Sequence, residues 1–174
     1  MHTTQLYIEL IIIGLETSIW MCIVLINIAG TRILNAIVDI LDNFSSSLLL
    51  IGVLYVIGIL MDRCADIIFH EKEKTIKMKS GLKAESSIIV WTNDFARYVE
   101  YSRSRIRILR VSVINIPLIS VGLIFYIIGY IKHQSIIIYI LILGCSFTYI
   151  AWKSYNLSVE KFYKKARILE EKQT

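Results

Sequence analysis

Four long apolar segments, separated by polar segments that contain nearly all of the basic residues, constrain this chain more than any other feature. The hydrocarbon core of a bilayer is about 30 Å thick, and about 20 helical residues are needed to cross it. Segments rich in Ile, Leu and Val, of about that length, occur at 6–29, 45–61, 111–131 and 135–152. The sequence therefore predicts an all-α, polytopic membrane protein with four transmembrane helices.

The composition is also that of a membrane protein. Hydrophobic residues make up 56% of the 174 residues, whereas an ordinary soluble chain contains about 45–50% apolar residues. The first five residues, MHTTQ, lack the basic region of a signal peptide, and no A-x-A cleavage site follows the first apolar segment. We therefore expect 6–29 to be a retained transmembrane helix.

The basic residues predict the topology. All but Arg32 and Lys132 of the 19 Lys and Arg residues lie in 62–110 or in 153–174. Short segments rich in Lys and Arg stay in the cytoplasm. With four crossings these two segments share one side, so both termini are predicted to be cytoplasmic in a multi-pass protein of the cell inner membrane. The net charge of +5 lies beside the apolar segments, which favours a bilayer with anionic headgroups as a partner over nucleic acid.

The polar segments are rich in helix formers. Residues 62–110 are predicted to form a cytoplasmic helical hairpin with a break at Ser80-Gly81, and 153–174 a C-terminal cytoplasmic helix. Residues 33–44 have an apolar face and predict an amphipathic helix, either on the interface or extending the second crossing. We expect a single membrane domain over 1–174, with the hairpin or the tail available to a cytosolic protein partner.

Polar residues interrupt the first apolar segment along one helix face. Glu9, Glu16 and Asn27 are separated by seven and eleven residues, which is about two and three helical turns. An ionised carboxylate near mid-bilayer, where Glu16 is expected, is costly unless it is paired, hydrated or protonated. The stripe is therefore predicted to face the bundle interior, an oligomer seam or a water-filled path. Two interpretations stay open, namely a polar clamp between helices and a path for ions or protons.

A second group of charged residues lies where the second crossing ends and the third begins. Its two aspartates share a helix face, and three of its arginines share another. One interpretation is an ordinary ion-pair network with lipid anchoring by the arginines. The others are a gate latch that pairs the aspartates with the arginines, and a site that binds a cytosolic anion, a nucleotide second messenger or nucleic acid. The members of the group are Asp62, Arg63, Asp66, Arg103, Arg107 and Arg110.

Pro117 is the only proline, and it lies in the third apolar segment. It removes one backbone hydrogen bond and predicts a kink or hinge, with Asn115 near enough to satisfy a freed group. Asp66 and His70 share a helix side but are too few to bind a metal ion. The sequence contains no nucleophile with its base, no metal cage and no cofactor loop, so we expect a non-enzymatic protein without metal or cofactor.

The polar stripe would be poorly hidden in a monomer of four helices. Association would bury it, so the sequence predicts a homo-oligomer, for example a tetramer. If Glu16 faces a central axis, its ring of carboxylates would favour cations. The function classes that remain are a membrane sensor or pore-type effector, an adaptor for a cytosolic partner, and an ion- or proton-coupled channel or transporter that uses Glu16.

The architecture resembles several known families. Glu16 in the first of four helices resembles the small multidrug exporters, although the long hairpin departs from them. The large cytoplasmic segment between the second and third crossings, with Pro117 in the third, resembles the stator subunits of proton-driven motors. The overall plan also resembles the small four-helix membrane components of bacterial anti-phage systems, such as the membrane subunit of Kiwa and the accessory proteins of CRISPR systems. An RxxxxH nuclease signature is absent. This last resemblance implies detection of infection at the inner membrane, or its depolarisation, together with a cytosolic partner.

Overall fold

The computed structural model describes residues 2–30, 44–80, 93–131 and 134–173, and these residues are helical almost throughout. The helices are α1 (His2–Ala29), α2 (Phe44–Lys79), α3 (Asn93–Tyr126) and α4 (Gln134–Gln173), with a π-helical turn at Ile127–Ile131 after α3. All four helices are long and apolar enough to cross a membrane, and no strand occurs in the described ranges. The prediction of an all-α protein with four helices able to span a membrane is confirmed.

The helices run alternately up and down, with α3 in contact with the other three. Glu9 contacts Arg107 and Asn27 contacts Gly122, so α1 and α3 run in the same direction. α2 packs antiparallel to α1. α4 packs antiparallel to α3, since Ser120 lies against Gly144 near one end of the pair, while Val99 and Ala166 share a buried cluster near the other.

The apolar side chains of the crossing segments point outwards. Ile28, Leu49 and Tyr139 are 79%, 71% and 68% exposed, and only 6% of the most apolar window of α4 is buried within the bundle. Large contiguous apolar surface is rare on soluble monomers, whereas helices with satisfied backbone groups and apolar surfaces suit lipid. The outer surface of this half of the molecule is therefore compatible with a membrane.

Beyond the apolar segments, 62–79 of α2, 93–110 of α3 and 153–173 of α4 continue together, and we refer to these three stretches as the helical extension. The 62–79 stretch alone is about 27 Å long. Phe69 packs with Tyr155 and Val159 in its interior. α2 is unbroken, so the predicted second crossing and the first arm of the predicted hairpin are one helix, whose exposed apolar side chains continue to Ile67 and Ile68.

The ends of the helices follow ordinary backbone chemistry. Gly30 ends α1 with a φ of 81°, which a residue with a side chain rarely adopts, and its N–H donates to the carbonyl of Ile26 at 2.9 Å. Ser80 ends α2, and its hydroxyl donates to the carbonyl of Lys77 at 2.6 Å. The amphipathic helix predicted at 33–44 falls outside the described residues except for Phe44, and so does the hairpin turn after Ser80.

Candidate functional site

Arg110 is the centre of a charge network at the base of the helical extension. The residue is 6% exposed, although it is the last residue of the basic segment 62–110. Its Nη2 donates to Asp62 Oδ1 at 3.0 Å, and its Nη1 donates to Asp66 Oδ1 and, at 3.4 Å, to Glu73 Oε1. A buried guanidinium is costly unless its charge is compensated, and here three carboxylates from α2 surround it.

Arg107 extends the network from α3 to α1. Its Nη1 donates to Glu9 Oε2 at 3.2 Å, and its Nε lies 3.6 Å from Asp62 Oδ2. Both Arg107 and Glu9 are largely buried, so water screens their attraction weakly. Arg63 is peripheral, because its side chain is 76% exposed and lies 3.9 Å from Asp66. Exposed pairs of this kind contribute little to stability.

Tyr155 brings α4 into the same network. Its hydroxyl donates to Glu73 Oε1 at 2.9 Å, and its ring is fully buried against Phe69, with ring centroids 5.0 Å apart. One polar cluster therefore ties all four helices together at the level where apolar crossing segments give way to the helical extension. Movement of any one helix at this level must break or exchange an ion pair or hydrogen bond of the cluster.

Carboxylates outnumber guanidinium groups inside the network, whereas cations predominate in the cavity beside it. Glu9, Asp62, Asp66 and Glu73 surround Arg107 and Arg110 in the network. The adjoining cavity, of about 440 Å³, is open to one side of the extension. Its charged lining residues are Asp62, Arg63, Asp66, Glu73, Lys77, Arg103, Arg107 and Arg110. Arg103, one of its lining residues, is exposed, so its charge is accessible to an anion in solution.

The polar stripe of α1 faces α3 within the same chain. The Ser112 hydroxyl donates to Glu16 Oε2 at 3.1 Å, and Asn27 Nδ2 donates to the carbonyl of Gly122 at 3.1 Å. With the Glu9–Arg107 pair, these contacts place all three residues of the predicted stripe in one seam. Of the two open interpretations, a clamp between helices has direct contacts in the structure, and a path for ions or protons remains a prediction.

A buried hydrogen-bond relay completes the seam between Glu16 and Asn27. Asn115 is fully buried; its Nδ2 donates to Thr17 Oγ1 at 3.1 Å, and its Oδ1 accepts from Trp20 Nε1 at 3.1 Å. Asn115 was expected to satisfy a backbone group freed by Pro117, but its described hydrogen bonds join α3 to α1 instead. Pro117 lies within the continuous helix α3, where it lines an apolar groove against α4.

The comparisons with known proteins add no relative. No protein-family model, no curated protein and no solved structure matches this chain. Within the described ranges there is also no group of three or more His, Cys, Asp or Glu side chains arranged to hold a metal ion. The resemblance to anti-phage membrane components stays a prediction from architecture.

Two members of the network were missed in the sequence. Glu73 lies seven residues after Asp66, which itself lies four after Asp62, so all three acids share one face of α2. The acids are separated by four and seven residues and the arginines of α3 by four and three, so each set lies on one helix face, and this periodicity was the available signal. Tyr155 offers no comparable pattern, because one tyrosine after an apolar segment is also typical of the membrane interface.

Proposed function

We propose that this chain is a multi-pass inner-membrane sensor, which reports a change in the bilayer to a cytosolic partner through its helical extension. The observation that supports the proposal most is the charge network. It joins all four helices at the base of the extension, where a shift of the crossing segments would first change the contacts between helices.

The composition of the network gives the sensor a physical basis. Four carboxylates compete for two guanidinium groups, those of the partly buried Arg107 and the buried Arg110. A small sliding of α1 or α2 along α3 can therefore exchange one carboxylate partner for another without leaving a buried guanidinium unpaired. Bistable elements of this kind convert small displacements into discrete changes of packing, and the affected helices continue directly into the extension.

The cellular setting is part of the same proposal. Because short segments rich in Lys and Arg stay in the cytoplasm, we place the helical extension and both termini there. The resemblance to small anti-phage membrane components suggests a role in defence with a soluble partner. A homo-oligomer, with a tetramer as one arrangement, remains part of the proposal. The polar stripe that association was expected to hide is already covered by α3, so burial of the stripe gives less reason for a second subunit.

Distance measurements within the helical extension test the sensor. Spin labels are placed at Thr75→Cys on α2 and Lys161→Cys on α4, both exposed positions, in a full-length chain whose native cysteines are replaced. We expect the distance distribution in liposomes to change with membrane potential or lipid charge. Arg110→Gln should give a shifted distance distribution at every membrane potential and lipid charge. Identical distributions under all conditions would rule out signalling through the extension.

Proton or cation conduction through Glu16 is a second candidate, and pore-type effectors fall in this class. The observation that favours it is the difference between the two acids of α1. Glu9 is paired with a guanidinium, whereas the hydrogen-bond donors to Glu16 are the neutral side chains of Ser112 and Asn115. No ion pair of Glu16 occurs among the described residues. An intramembrane acid without a cationic partner is suited to bind and release a proton.

Flux measurements distinguish this candidate from the sensor. Proteoliposomes with an internal pH dye are challenged with a pH gradient and, separately, with a K⁺ gradient. If Glu16 is on the path, Glu16→Gln should abolish a flux that Glu9→Gln retains. Absence of flux above empty liposomes for the natural sequence would eliminate the conduction candidate and leave the sensor untouched.

A further inference from the structure

A groove between the crossing segments of α3 and α4 is almost entirely apolar. It has a volume of about 500 Å³, and it is lined by aliphatic side chains together with Pro117, Cys145, Tyr149 and Trp152. Gly144 lies in its wall, where a side chain would collide with Ser120. The groove lies on the lipid-facing half of the molecule, so an acyl chain is the ligand that suits its lining.

A second groove, of about 320 Å³, lies between α2 and α4 in the helical extension. Its lining is basic, with Lys72, Lys79 and Lys164 against a single carboxylate, Glu160. Ser80 also lines this groove. Because three ammonium groups share this groove with one acid, its charge favours an anion.

Two buried polar atoms in the second groove have no hydrogen-bond partner among the described residues. One is the donor Lys72 Nζ and the other is the acceptor Asn156 Oδ1. The Lys72 ammonium lies 2.8 Å from the centroid of the Trp152 ring, which compensates part of its charge but gives it no anionic acceptor. A buried donor and a buried acceptor left unpaired in one groove are costly, and a ligand with an anionic oxygen and an O–H or N–H group would satisfy both.

The two grooves follow one side of α4 and approach each other where Lys72, which lines the basic groove, lies over the ring of Trp152, which lines the apolar one. Cys145, Tyr149 and Trp152 line the apolar groove, and Asn156 and Glu160 line the basic one. These residues are spaced three or four positions apart, which keeps them on one side of a helix. The ring of Trp152 lines the apolar groove and also lies beneath the Lys72 ammonium, so a single amphipathic molecule can occupy both grooves.

We propose that the two grooves together bind one anionic phospholipid, with its phosphate at Lys72 and an acyl chain along Pro117 and Cys145. The phosphate oxygens accept from the buried ammonium, and a headgroup hydroxyl donates to Asn156. Phosphatidylglycerol has both features, whereas the choline headgroup has no O–H or N–H group. A soluble phosphate ester would leave the apolar groove without its acyl chain. The site does not depend on the proposed signalling role.

Quenching of Trp152 by brominated acyl chains tests the proposal on the full-length protein in detergent. Brominated phosphatidylglycerol should quench a component of the fluorescence that Trp152→Phe removes. Lys72→Gln should raise the half-quenching concentration about fivefold, which is the effect of one lysine at an anionic headgroup. Lys74→Gln is the matched control, because Lys74 is exposed and is not among the groove's lining residues.

Several results of the quenching experiment would contradict the lipid site. Equal quenching by brominated phosphatidylcholine, or equal effects of the two lysine variants, would overturn the lipid site. Displacement of the lipid by glycerol phosphate at the same concentration would mean that the groove recognises a free phosphate ester. Should Lys72→Gln fail to fold, Cys145→Phe fills the apolar groove and should weaken quenching, whereas Ser146→Phe, at an exposed position outside its lining, should not. Equal quenching in these two variants would likewise overturn the proposal.

Discussion

Gly14 and Gly58 bring the backbones of α1 and α2 into direct contact. A Cβ atom added at Gly58 would collide with the carbonyl oxygen of Leu10, and one added at Gly14 would collide with that of Leu54. Helices in lipid are not driven together by the hydrophobic effect, so close backbone approach at small residues is one of their principal sources of association. This contact fixes α1 against α2 within their crossing segments, next to the charge network that contains Glu9 and Asp62.

Replacement of Gly58 by alanine should therefore separate the two helices. The added methyl group meets backbone atoms that cannot rotate away, and overpacking of this kind costs about 1–3 kcal/mol. We expect Gly58→Ala to lower the thermal midpoint of the detergent-solubilised protein, as followed by circular dichroism. Gly52→Ala is the matched control on the same helix, because no atom of a neighbouring described helix lies within 4 Å of its added Cβ. Equal midpoints for the two variants would contradict the close contact.

The four helices could be predicted because the length and hydropathy of each segment are local properties. The rotation of each helix about its axis could not be predicted to the same extent. Gly14, Gly52 and Gly58 all lie in apolar segments, and nothing local distinguishes the two in close contact from Gly52, which faces open space. Helical spacing predicts that Glu9, Glu16 and Asn27 share one face, and each of them contacts α3 in the structure. Their partner, α3 rather than another subunit, depends on tertiary packing.

The arginines show the same division between local and tertiary information. Arg103, Arg107 and Arg110 were placed on one face of a helix entering the bilayer, where lipid headgroups were an obvious partner. The structure leaves Arg103 exposed, but it buries Arg110 among three carboxylates of α2. The pairing expected of a latch between the aspartates and these arginines is therefore present, and its role as a gate remains a prediction.

Removal of Arg110 should be strongly destabilising. Arg110→Met leaves Asp62, Asp66 and Glu73 close together without their shared cation, and breaking a buried ion pair from one side costs about 3–5 kcal/mol. Equilibrium unfolding in mixed micelles would measure this loss. Arg63→Gln is the control at an exposed site, and its effect should stay within about 0.5 kcal/mol.

A compensating variant separates charge from packing at this site. Adding Asp62→Asn and Asp66→Asn to Arg110→Met removes most of the carboxylate repulsion, so the triple variant should recover a large part of the lost stability. A triple variant as unstable as Arg110→Met alone would mean that the loss comes from a cavity and that the charges contribute little.

Glu9 and Glu16 should respond differently to amide replacement. Glu9→Gln removes one carboxylate partner of Arg107 and should cost about 1.5–3 kcal/mol, the range of hydrogen bonds to charged groups. Glu16→Gln keeps an oxygen that accepts from Ser112 and introduces no charge, so we expect a change below about 1 kcal/mol. The same unfolding assay compares the two. A larger loss for Glu16→Gln would indicate that Glu16 is ionised and has a cationic partner in the folded protein.

Cysteine labelling in intact cells should place the helical extension in the cytoplasm. In a chain without native cysteines, Ser135→Cys lies at the start of α4 and Thr75→Cys in the extension, and both positions are exposed. Nearly all Lys and Arg residues lie on the side of Thr75, and such segments resist translocation. An impermeant maleimide should label Ser135→Cys in intact spheroplasts and Thr75→Cys only after permeabilisation. The reverse pattern would invert the topology and, with it, exclude a cytosolic partner at the extension.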